Sequence, residues 1–129
     1  IGHLIHGEKT DWMQRIEIIL SDDKDKTFAA FDRYAQFEDS KDKKMAALLT
    51  EFKYLREKNI KQLQSLHLTK NDFARKGIHP ALGEVTLAQL IATWAVHDLN
   101  HLAQIARVMA TQYRQETGPW IAYLSVLKQ

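Results

Sequence analysis

Apolar residues recur every three or four positions along most of this chain. The clearest stripe is Leu87, Leu90, Trp94, His97, His101, Ile105 and Val108, one face of an amphipathic helix with both imidazoles turned toward a core. Thr86 stands directly before this period and Gln89 follows three residues later, the arrangement of a capping box. The helix is predicted to run to Tyr113 or Gln115, and Gly118-Pro119 closes it. Upstream, Ile1, Leu4, Ile5, Trp12, Ile16, Ile19 and Leu20 predict one long helix over residues 1–20, and the charge-rich stretch 21–26 predicts a solvated loop. Residues 27–39 space Phe28, Phe31, Tyr34 and Phe37 by three, which predicts a short helical turn or an irregular crossover with its aromatic rings lining the core. Ser40 is a suitable N-cap for a helix over 41–65 whose buried face is expected to comprise Met45, Leu48, Leu49, Phe52, Leu55, Ile60, Leu63 and Leu66. Thr69 caps a single turn within 68–73. Over 75–85 two glycines and a proline forbid regular helix, so an ordered loop is expected there. Trp120, Tyr123, Leu124 and Leu127 form a short apolar tail expected to pack across the end of the bundle. Strand-like two-residue alternation is missing from the pattern, which makes the fold class all-α.

With 129 residues and 45% hydrophobic content the chain is long enough for one core and too short for two ordinary domains. A single domain over residues 1–129 is therefore expected. Lys and Arg total 18 against 16 for Asp and Glu, a formal charge of +2, and the basic residues are scattered. Such a surface predicts no nucleic-acid partner. No cysteine is present, which excludes disulfides, thiolate metal sites and a cysteine nucleophile, and suits a reducing compartment such as the cytoplasm. No apolar run approaches the ~20 residues of a membrane span, so no membrane partner is expected.

The candidate chemistry lies in His97-Asp98-Leu99-Asn100-His101. Residues four apart on a helix have Cβ atoms about 5–6 Å apart, close enough for two ring nitrogens to share one metal ion at about 2.0–2.1 Å each. Two packed and hydrogen-bonded core histidines are the plainer reading, but burying two imidazoles together costs desolvation twice unless something bridges them. The protease form of this motif needs Glu directly after the first His. Here Asp98 stands in that place, which disfavours a zincin protease and makes Asp98 a supporting or solvent-facing group. Two histidines supply two ligands, so a third must come from another helix, or several positions stay open to water.

Four stretches together resemble the DinB-like superfamily of bacterial metal-binding four-helix bundles: Gly2-His3-Leu4-Ile5-His6-Gly7-Glu8 with Trp12 and Arg15-Ile16; Phe31-Asp32-Arg33-Tyr34; Arg75 to Pro80 with Gly83-Glu84-Val85-Thr86-Leu87; and His97 to His101 with Gln104-Ile105. The resemblance implies an up-down four-helix bundle. The family has a helix ahead of its His-Leu segment, and this sequence begins too late to contain it, so the N-terminal helix is expected to be missing and an apolar groove left open. It also implies a ligand set of His3, His97 and His101. Periodicity does not choose His3: stepping about 100° per residue from Ile1, Ile5, Trp12 and Ile16 puts it on the opposite side of the helix. His6 is the fallback ligand, and His79, in a loop before Pro80, is a pocket-lining or turn residue. Glu8 and Arg15 are expected to pair with neighbouring helices.

The resemblance further implies a divalent transition metal, zinc or nickel, and a metal-dependent enzyme, either a transferase using a low-molecular-weight thiol or a hydrolase of a small-molecule substrate. The alternative is a non-catalytic helical interaction module whose histidines are packed or hold a structural metal. A ferritin-like di-iron site fails because it needs Glu-x-x-His pairs, and Trp94 stands three before His97. An open groove and the aromatic crossover make a homodimer the expected assembly.

Overall fold

The structure, a computed structural model, describes residues 1–128. Residues 1–20 form two helices, α1 (Gly2–Thr10) and α2 (Trp12–Leu20), where one was predicted. The break at Asp11, with φ −124° and ψ −70°, keeps the backbone ladder on both sides: Asp11 N–H donates to Gly7 O at 3.1 Å, and Arg15 N–H to Asp11 O at 3.0 Å. Beside the break the Thr10 hydroxyl donates back to His6 O at 2.8 Å.

The crossover contains a short helix, α3 (Ala35–Asp39), followed by α4 (Met45–Ser65). Ser40 was expected to cap α4; its hydroxyl instead donates to Gln36 O at the end of α3, and Lys44 takes the N-cap position of α4. Of the four aromatics spaced by three, Phe28 alone is deeply buried; Tyr34 and Phe37 are exposed. α4 packs on α1 and buries Leu48 and Asn59, while Met45, Leu49 and Ile60 of the expected core face lie at the surface. What packs on α4 covers a strip narrower than the apolar arc the sequence offers.

A capping box of Thr69 and Asp72 opens the single turn α5 (Lys70–Phe73). The stretch expected to be an irregular loop is a β-hairpin, β1 (Lys76–His79) against β2 (Gly83–Thr86), antiparallel with Gly77 opposite Val85 and Ile78 opposite Glu84. The all-α class holds for the body of the chain, and the hairpin is a small addition to it. Pro80 and Gly83 sit in and beside the turn, Gly83 at φ +75°, so neither breaks a strand interior. Residues 26–28 run alongside β1: Phe28 N–H donates to Ile78 O and Ile78 N–H to Lys26 O, each at 2.9 Å. This contact requires Gly77, where an added Cβ would stand 2.4 Å from Phe28 Cζ and 2.9 Å from Ile19 Cγ1. Gly77→Ala is expected to cost about 1–3 kcal/mol through overpacking, measured as a lower urea midpoint; an unchanged midpoint would show that the Phe28 ring can yield.

The longest helix, α6 (Leu87–Thr111), follows, and then two 3-10 segments, Gly118–Tyr123 and Ser125–Leu127. By compactness the chain divides into Ile1–Ala92 and Thr93–Gln129. In the first unit Ile16, Ile19 and Leu87 are fully buried, with Leu4, Ile5, Trp12, Met13, Phe28 and Leu90 around them. In the second, Trp94 and Leu127 are buried, and Arg114 Nη2 donates to Leu127 O at 2.7 Å. The apolar tail is only partly packed, since Trp120 and Tyr123 are exposed.

Candidate metal centre

The start of α6 is fixed as its sequence dictates. Thr86 N–H donates to Gln89 Oε1 at 2.9 Å, Gln89 N–H to Thr86 Oγ1 at 3.2 Å, and Leu87 N–H to Arg75 O at 2.8 Å. From there the register is set. Leu87, Leu90 and Trp94 are buried, His97 and His101 are half-buried, and Ile105 and Val108, expected in the core, are exposed.

One helical turn separates the two rings, which meet edge to face with centroids 4.4 Å apart and planes at 78°. Their Nε2 atoms lie 3.1 Å apart. Two ligands held at about 2.0–2.1 Å from one ion would be separated by about 2.9 Å at a right angle and about 3.4 Å at the tetrahedral angle, so the pair has the spacing that shared coordination requires. His101 Nδ1, on the far side of its ring, lies 2.8 Å from Gln104 Oε1. A ring nitrogen aimed at a site while the other is held by a hydrogen bond is the arrangement typical of metal-ligating histidine. The donor set fits a divalent transition ion.

In the first unit His3, on α1, is half-buried and lies edge-on to Phe31 at 5.1 Å. His6 is buried against the same ring at 5.1 Å, with Nδ1 3.5 Å from Asp39 Oδ2. This gives His6 an acidic neighbour on α3. His79, the last residue of β1, holds the turn that follows it: its Nδ1 accepts Ala81 N–H at 3.1 Å and Leu82 N–H at 3.2 Å. Asp98 is half-buried.

The first unit also buries the polar residues Glu8, Asp11, Arg15 and Asn59. Asp11 Oδ1 is 2.7 Å from Arg15 Nε, and the Arg15 guanidinium covers the Phe28 ring at 5.2 Å. Arg15 thus pairs one turn back, where a neighbouring helix was expected. Burial pushes the Asp11 carboxyl above its usual range, opposed by Arg15, His79 and His6. Glu8 does pair across helices: Oε1 accepts from Arg56 Nη2 at 2.8 Å and Oε2 from Asn59 Nδ2 at 2.9 Å.

Comparison with protein families decides the affiliation, because residues 1–105 match the model of the DinB superfamily. The chain belongs to the DinB superfamily. Its matched region includes both elements that carry the candidate ligands, α1 and the histidine turn of α6. Comparison with curated proteins gives no match. Among the described residues no helix is long and apolar enough to cross a membrane. In the sequence Gln104 stands out only within the resemblance, although it lies three residues after His101, where a helix brings side chains together.

Proposed function

We propose that this DinB-superfamily chain is a metal-dependent enzyme in which His3, His97 and His101 hold one divalent transition ion, zinc or nickel. The observation that carries the reading is the His97–His101 pair, Nε2 to Nε2 at 3.1 Å. In support, His3, His97 and His101 are each half-buried, and each imidazole can offer one ring nitrogen. When bound, the ion supplies Lewis-acid activation of a water or a thiol. Three imidazoles are neutral and leave coordination positions open, which suits an anionic thiolate as the reacting group. His6, beside Asp39, and His79, committed to its turn, stand outside this ligand set. The reaction is a thiol-dependent transfer or a hydrolysis of a small molecule in the cytoplasm.

Untagged protein is expected to carry about one equivalent of transition metal, or to take it up on adding Zn²⁺ or Ni²⁺. Less than about half an equivalent, with no gain on addition, would count against the assignment. A second reading, a non-catalytic interaction module, draws on the exposed Leu99, Leu102, Met109 and Tyr113 of α6. The same row supports a homodimer. Sedimentation of the full chain tests the dimer, and screens for thiol transfer and hydrolysis separate the module from the enzyme.

A further inference from the structure

On α6, Gln104 follows His101 by three residues, and its Oε1 lies 2.8 Å from His101 Nδ1. A carboxamide oxygen carries no proton, so in this pair Nδ1 is the donor. A neutral imidazole has one N–H; with it on Nδ1, the lone pair of His101 is on Nε2, and Nε2 is the atom that faces His97 Nε2 at 3.1 Å. The reverse orientation of the Gln104 amide would do the opposite, donating to Nδ1 and placing the proton on Nε2, where it would block coordination. The choice of amide orientation and the choice of ring tautomer are therefore one choice.

We infer that Gln104 is a positioning residue of the metal site, holding His101 in the Nδ1–H tautomer so that the Nε2 lone pair is presented for coordination. The inference rests on the metal reading above. Gln104 is exposed, so water can replace part of what it does, and the loss on removing it falls at the low end of the range for such partners, about 10-fold in metal affinity. Its exposed place on a helix also lets it be changed without disturbing packing.

Two measurements on the full chain test this. In metal-free, ¹⁵N-labelled protein at about pH 8, where imidazoles are neutral, long-range ¹H–¹⁵N correlation reads the tautomer directly. Wild type is expected to show His101 protonated at Nδ1, Gln104→Leu to shift it toward Nε2–H, and Gln104→Glu, which keeps an acceptor, to restore Nδ1–H. Zn²⁺ affinity, read by competition with a chromophoric chelator, is expected to fall about 10-fold in Gln104→Leu and to recover in Gln104→Glu. An Nε2–H tautomer in wild type, or identical tautomers and affinities in wild type and Gln104→Leu, overturns the inference. Wild type that binds no Zn²⁺ overturns the metal reading instead, and the tautomer measurement, made without metal, still decides what Gln104 does.

Discussion

Glu8→Leu is expected to destabilise the protein by about 3–5 kcal/mol, the cost of breaking a buried ion pair by removing one partner. The Glu8 side chain is 1% exposed, and its two oxygens accept from Arg56 Nη2 and Asn59 Nδ2. Its removal leaves a guanidinium 21% exposed without its carboxylate. Asn59 keeps a second bond, to Glu8 O at 2.8 Å, and Arg56 keeps its place over the Phe52 ring at 5.0 Å, so the lower half of that range is expected. In a chain of this length the loss corresponds to a melting temperature lower by roughly 10 °C. The double variant Glu8→Leu/Arg56→Met removes both charges, and replacing a whole buried pair with apolar groups is often near neutral. It should recover most of the stability. A double variant no more stable than Glu8→Leu would show that lost packing, and not the stranded charge, sets the cost.

That network shows where sequence reasoning reached and where it stopped. Glu8 was expected to pair with a neighbouring helix and does, but nothing in the spacing of Asn59 marks it as buried, because its partner is 51 positions away in the chain. Signals contained within one turn were legible: the Thr86–Gln89 box forms, the turn at Thr69 is capped, and His97 and His101 meet as four-residue spacing requires. The break at Asp11 was hidden because the apolar period continues through it. The hairpin was hidden because each strand is four residues long, too short for alternation to register against two glycines and a proline. The extent of burial on α4 and α6 was overestimated for another reason. Periodicity says which residues share a face, not how much of that face another element covers.

His97→Ala is expected to abolish metal binding, the largest functional effect of any single change here. With His97 gone, His101 is the only α6 side chain left of the pair that meets Nε2 to Nε2, and a single histidine on that helix no longer chelates. Linkage makes the loss measurable without knowing the substrate. A protein that binds zinc only when folded gains about 2.7 kcal/mol when free zinc is about 100 times Kd, so wild type should unfold at higher urea with Zn²⁺ present and His97→Ala should not respond. His3→Ala should weaken the response if α1 supplies the third ligand, whereas His6→Ala should leave it intact, since that ring sits beside Asp39. Zinc stabilisation lost in His6→Ala and kept in His3→Ala would move the third ligand to His6, the fallback. Zinc stabilisation undiminished in His97→Ala would place any bound ion elsewhere and leave the α6 histidines as a packed, hydrogen-bonded pair.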